Sequence, residues 1–368
     1  MRNKNIESLR GIAILLLLFY HFTISLNVFN DMALIYMDEA FCQFAMIIFF
    51  VISGYGTFLY YQKKEAKKES INFYTFLKRR FFKIAPAYYF CLIFILLFTK
   101  GGMFLSKGGI KSVIVYGCLV QNLFPAYSGD INGVTWTIAL LLQFYLISYP
   151  LYKVVNKWGW KSYIICVFIS LSINTLICEY ITVKGYPNVY YVIASIRQIF
   201  TTIDIFIIGM LCGKSKKNYM IINKELSIFL SIGIFIIAIC IFVKSALAIG
   251  GIWGNGIKFY LWKPCVSMTI GGIILLIRSC EFHYKSWVGK SIQLVASIEY
   301  NTYLWHMILF ENLKSTSELF NVFMAKNPLI TAIFLVFLAL FVGFFLTIML
   351  RVNIVKEIKV WFKDKDII

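Results

Sequence analysis

Residues 7–26 read ESLRGIAILLLLFYHFTISL. From Leu9 to Leu26 the run is apolar enough, and long enough, to cross a hydrocarbon core about 30 Å thick, which takes roughly 20 helical residues. Two ionisable side chains interrupt it, Arg10 near the start and His21 near the end. Arg2, Lys4 and Arg10 make its N-terminal side basic, as in a signal peptide. The run is long for such a peptide, and Asn27-Val28-Phe29-Asn30 offers no small-x-small cleavage site, so the sequence predicts a retained first helix.

The pattern repeats along the chain. Of 368 residues, 60% are hydrophobic and only 14% charged, against roughly 25% charged in a soluble globular domain. The expected spans are 9–27, 41–61, 81–99, 134–153, 162–182, 192–212, 225–243, 258–278, 293–313 and 329–350. That is an all-α transmembrane bundle of about ten helices, in a single domain over residues 1–368. The segment from Gly101 to Gly133 is harder to place. Its apolar part, residues 112–124, is short for a span and reads as an interfacial or re-entrant piece.

A net charge of +19 raises the question of nucleic acid, and the positions of the charges answer it. Lys and Arg fall in short stretches between apolar runs. With the N-terminus inside, the inner segments collect Lys63, Lys64, Lys67, Lys68, Lys78, Arg79, Arg80 and Lys83, together with later groups around Lys157, Lys216 and Lys285 and the C-terminal tail. The first outer loop carries Asp31, Asp38 and Glu39 instead. The bias is about three to one, as the positive-inside rule requires. Both termini are expected in the cytoplasm, the partner is the lipid bilayer, and nucleic acid is excluded. The nine cysteines show neither a CxxC pair nor a metal-ligand spacing, so neither a metal nor a structural disulfide is expected.

Of the three histidines, His21 and His306 fall within expected spans, and an ionisable group at membrane depth marks function by default. Arg10 and His21 are eleven residues apart, close to three helical turns, so they share a face with about 16 Å between them along the axis. A guanidinium at one mouth suits a phosphate and an imidazole deeper in suits proton transfer. Arg10 read alone is equally an inside anchor. The cluster Phe76-Leu77-Lys78-Arg79-Arg80-Phe81-Phe82-Lys83 opens the third span. By spacing alone it reads as a headgroup anchor before a polyphosphate site.

These residues also match an ordered set of motifs. Glu7-Ser8-Leu9-Arg10-Gly11 with His21, Phe49-Phe50-Val51-Ile52-Ser53-Gly54, and Arg79-Arg80 with Ile84 and Pro86 to Tyr88 come first. Trp136 with Gln143 to Leu146, Phe206 to Gly213, and Tyr300 with Tyr303-Leu304-Trp305-His306 follow. In this order the chain resembles the integral-membrane acyltransferase-3 family, whose members commonly acylate surface polysaccharides. The resemblance implies an acyl-CoA donor, with acetyl-CoA the expected form, and a glycan or lipid-linked saccharide acceptor. It implies that Arg10, Arg79 and Arg80 bind acyl-CoA, that His21 is catalytic, and that Tyr145, Trp136 and His306 line the cavity.

Two family positions differ. Leu141 and Leu142 stand where many members carry an acid after the tryptophan, and Ile47 stands where many carry Asp before the FF-x-x-SG motif. Asp130, Asp204 and Glu299 are candidate substitutes as carboxylate support for His21, and Asp204 could instead pair with Arg197. The competing readings are a glycan or lipid-intermediate flippase and a non-catalytic assembly subunit. A His-x4-Asp acyltransferase is excluded, because Leu26 and Glu311 occupy the fifth positions after His21 and His306.

Overall fold

A computed structural model describes residues 4–186, 190, 196–215, 224–249, 262–278 and 286–363. The loop lysines Lys216, Lys217, Lys258 and Lys285 and the first residues of the expected spans 192–212 and 258–278 lie outside them. Among the described residues there is no strand. The helices are α1 (Lys4–Ser25), α2 (Met32–Ala66), α3 (Phe73–Phe98), α4 (Lys107–Gly117), α5 (Trp136–Leu146), α6 (Ser148–Trp158), α7 (Trp160–Lys184), α8 (Ile199–Lys214), α9 (Lys224–Ile249), α10 (Trp262–Arg278), α11 (Trp287–Thr316), α12 (Glu318–Lys326) and α13 (Pro328–Lys363).

By length and composition six of these segments can cross a membrane: α1, α2, α3, α7, residues Ile228–Leu247 of α9 and residues Pro328–Leu350 of α13. The expected span 134–153 is instead a broken pair, Gly133–Leu146 and Ser148–Trp158, bent by 62°, and would be a seventh. The described parts of the expected spans 192–212, 258–278 and 293–313 fall on α8, α10 and α11, none of which is among the segments long and apolar enough to cross. Helix α8 has only 16 residues, and every residue from Thr201 to Gly213 is buried. Enclosed by other helices, it has little contact with lipid to satisfy. The outward sides of α7, α9 and α13 carry exposed Phe168, Leu176, Ile237, Phe337 and Phe341, which suits a hydrocarbon surround.

Close backbone contact holds the centre together. Helix α2 packs along α8 and α1, α1 along α11, and α11 along α13. A Cβ on Gly54 would stand 2.1 Å from the Phe206 carbonyl oxygen, and one on Gly209 would stand 2.0 Å from that of Val51. Lipid tails are as apolar as leucine, so membrane helices associate through packing of this kind, with small residues at the contact. The glycine of the FF-x-x-SG motif is therefore a packing element.

Helix α2 begins earlier than its apolar pattern suggests. Asp31 caps it, accepting from the backbone N–H groups of Ala33 at 2.9 Å and Leu34 at 3.1 Å. Asp38 and Glu39, read above as residues of an outer loop, consequently lie inside the helix and are buried. At its other end the lysine-rich stretch leaves the bundle. There Lys64 donates to Glu69, and that bond holds the Glu69 carboxyl below its usual range. The Gly101–Gly133 segment forms α4 and short 3-10 turns. Eleven residues of helix reach only about 16 Å, half of a hydrocarbon core. Hydrogen bonds from Tyr88 to Tyr116 O, Tyr89 to Gly117 O and Asn132 to Leu304 O tie the segment to α3 and α11.

Candidate active site

Gly11 lets α1 approach α11, where an added Cβ would stand 2.7 Å from the Ile292 carbonyl oxygen. Farther along the same contact, the rings of His21 and His306 face each other with 5.1 Å between centroids. His306 is fully buried. Its Nδ1 lies 2.7 Å from the Tyr303 carbonyl oxygen. A carbonyl only accepts, so Nδ1 carries the proton and Nε2 holds the lone pair. That Nε2 is buried and has no hydrogen-bond partner. Tyr20 packs against His21, and Phe22 against His306.

Below the histidine pair lies a cavity of about 620 Å³. Its lining on α1 runs from Ile6, Glu7 and Arg10 to Leu17, one turn short of His21. Helix α5 contributes Thr137, Ile138, Leu141 and Tyr145, a single face at three- and four-residue spacing. Arg10, Arg80 and Lys83, set against Glu7 and Glu299, leave one end with a net positive charge, while Leu17, Thr137 and Tyr303 line the deep end. At that deep end the Tyr303 hydroxyl lies 2.6 Å from Thr137 Oγ1 and also bonds the Val134 carbonyl oxygen. Arg80 is held by two aromatic faces, with Cζ 5.2 Å from the Phe76 centroid and 5.0 Å from that of Tyr145.

The expected site residues divide. Arg10, Arg80 and Tyr145 line the cavity. Arg79 does not and is exposed, because consecutive helical residues point about 100° apart and only one of the two can face inward. Lys83, one turn after Arg79, takes a lining position that the arginine pair had been given. Trp136 and His306, both expected on the wall, stand behind it. Thr137 replaces the first, and Tyr303, a turn earlier on α11, replaces the second.

None of the three suggested acids is placed to orient His21. Glu299 forms an ion pair with Arg10 at 3.1 Å, two turns from His306 towards the cationic end. Asp130 accepts from Ser112. Asp204 is fully buried and interacts with Lys263 and Ser170, so the pairing with Arg197 suggested by their spacing is corrected. Lys263 itself donates to Thr201 O at 2.7 Å. The family's acidic positions are filled apolarly: Leu141 faces the cavity and Ile47 is in the core. Acids do stand past the histidines. Asp38 accepts from Thr23 at 2.5 Å, and both Asp38 and Glu39 act on Tyr20. Reading them as loop residues hid them.

A helical membrane protein with a cationic cavity mouth and, beyond its far end, an imidazole pair of which His306 is fully buried and His21 partly so is the class these features define. The profile of the family described as "Acyltransferase domain" matches residues 3–349, and the chain belongs to that family. It is similar to proteins of Staphylococcus aureus strains MSSA476 and MRSA252, each named a probable poly-beta-1,6-N-acetyl-D-glucosamine export protein. In both cases 27% of 188 residues are identical, over 50% of this chain and 51% of the relative. The chain thus spans about half the length of the curated relatives it matches. No solved structure matches it significantly.

Proposed function

We propose that this protein is an O-acyltransferase of the cell membrane that moves an acyl group, acetyl in the simplest case, from cytoplasmic acyl-CoA to a hydroxyl of a surface glycan or its lipid-linked precursor. One observation carries the reading: a single cavity leads from Arg10, Arg80 and Lys83 to within a helical turn of the His21–His306 pair. The cationic end takes the CoA phosphates and faces the cytoplasm, the side to which the lysine-rich end of α2 assigns it. Arg10 keeps donors beyond the one engaged by Glu299. The pantetheine arm lies along the apolar wall, and the thioester reaches the deep end. Arg79 then serves as a headgroup anchor at the rim.

His21 is the general base on the acceptor hydroxyl. His306, whose tautomer is set by the Tyr303 carbonyl, offers Nε2 beside it as a second proton site. The acyl ester of the acceptor and free CoA are the products.

The test compares surface glycan from a deletion strain and from strains complemented with the wild type or His21→Ala, by mass spectrometry. Loss of acyl-sized increments in both the deletion and the mutant is expected, with the mutant still inserted in membranes. Retained acylation in His21→Ala would sink the mechanism. The names of the relatives favour a second reading, glycan export. An exporter without chemistry would leave His21→Ala functional and change only the amount of glycan outside.

A further inference from the structure

Arg197 precedes α8, in a turn that the helical pattern does not explain. Its Nη1 donates to Ser128 Oγ at 2.7 Å, and its Cζ lies 5.2 Å from the centroid of the Trp136 ring. Its backbone is fixed as well. Asn122 Nδ2 donates to the Arg197 carbonyl oxygen at 2.9 Å, and Gln198 Nε2 donates to Asn122 O at 2.6 Å. Asn122 and Gln143 hold each other through reciprocal amide bonds of 3.1 and 2.8 Å. The guanidinium therefore sits on a rigid frame built from the Gly101–Gly133 segment and α5.

The frame supplies no negative charge. Among the described residues Arg197 has no carboxylate partner, and its Nε is buried with no hydrogen-bond partner. The nearest acids in sequence are Glu179 and Asp204, and Asp204 is occupied elsewhere. The groups that do interact with Arg197 electrostatically are His21, Cys42, Tyr116 and Tyr303. They are an imidazole, a thiol and two phenols. A permanent cation at this depth without a counter-ion is costly. It becomes favourable when an anion arrives or forms beside it. Trp136 under the guanidinium is bonded in sequence to Thr137, whose hydroxyl meets Tyr303 at the deep end of the cavity. The cation thus stands behind the wall at the deep end, within electrostatic reach of His21 and Tyr303, which flank the place where the acyltransferase reading puts the thioester.

We infer that Arg197 is the cation that stabilises the oxyanion of acyl transfer, an inference that rests on the reading above. His21 takes the proton of the acceptor hydroxyl as its oxygen forms the new C–O bond to the thioester carbon. The carbonyl electron pair moves onto oxygen, where Arg197 neutralises it. When the pair returns, the C–S bond breaks, the thiolate leaves with its electrons, and the imidazolium returns the proton to sulfur. Ester and CoA thiol result, with no other reactant.

The experiment uses membranes containing the full chain and acetyl-CoA labelled in the acetyl group, with transfer to the endogenous envelope acceptor as readout. Arg197→Ala should lower the maximal rate by about a hundredfold or more, with KM for acetyl-CoA unchanged and activity partly restored by added guanidinium ion. Arg197→Lys keeps the charge but loses the fork, and should lie between. Should Arg197→Ala fail to insert, Arg197→Gln replaces it. Wild-type rates in Arg197→Ala or Arg197→Gln would overturn the assignment. So would a loss confined to KM, which would make Arg197 a donor-binding group. An unlabelled envelope with the wild-type chain would instead remove the acyltransferase reading, and this inference with it.

Discussion

His306 carries an unusual combination for a residue inside a bundle: a fixed proton on Nδ1 and an unsatisfied Nε2 against a second imidazole. Leaving a buried acceptor unpaired costs roughly 1–3 kcal/mol, so the arrangement is poor packing and good proton chemistry. His306→Asn can still donate to the Tyr303 carbonyl but offers no basic nitrogen. It should keep the protein inserted and lower acyl transfer by less than His21→Ala, for which a loss of at least about a hundredfold is expected. Equal activity of His306→Asn and wild type in the labelled-acetyl assay would reduce His306 to a packing role. At the other end of the cavity Arg80 and Lys83 line the mouth and Arg79 does not. Arg80→Ala and Lys83→Ala should each weaken acetyl-CoA binding by roughly tenfold, the value of one charge-assisted bond. Arg79→Ala should leave it nearly unchanged. Binding to purified protein, measured by calorimetry, separates the three.

At the level of helices, the two glycines that join α2 to α8 meet backbone atoms, which cannot turn aside as a side-chain tip can. Gly209→Val should therefore destabilise by more than the about 1–3 kcal/mol usual for overpacking, seen as a lower melting temperature in detergent. A mutant as stable as the wild type would mean that α2 and α8 are not in backbone contact. These helices also mark what could be read from sequence. Apolar length and flanking charge predicted α1, α2, α3, α7, α9 and α13, because lipid-facing helices must be apolar outward. The bend between α5 and α6 had a local signal, Pro150 in the first turn of α6, which removes a backbone donor there; the continuous apolar run across 134–153 masked it. Arg10 and His21 were legible because both lie on one helix, where the period fixes the face. Arg197 was not: its neighbours Trp136, Ser128 and Asn122 come from other segments, and seven-residue spacing pointed wrongly to Asp204.

Across the whole molecule the cavity and the charge asymmetry make one joint claim. Arg10, Arg80 and Lys83 line the mouth at the end of the bundle where α2 also runs out into Lys63, Lys64, Lys67 and Lys68. Positive loops stay in the cytoplasm, and so does acyl-CoA, so the mouth must open inward if both readings hold. Gly56 allows this to be tested. It lines the cavity, and a Cβ there would meet nothing within 4 Å, so Gly56→Cys should fold normally. In a chain whose exposed Cys118, Cys240 and Cys265, together with Cys280, are replaced by serine, a membrane-impermeant maleimide should label Gly56→Cys in inside-out vesicles and not in intact cells. Acetyl-CoA should protect it, and CoA without an acyl group should protect it nearly as well, because the phosphates supply most of the binding. Labelling from the outside would reverse the topology and remove cytoplasmic acyl-CoA as donor. Labelling from the inside without protection would keep the topology while moving the donor out of this cavity.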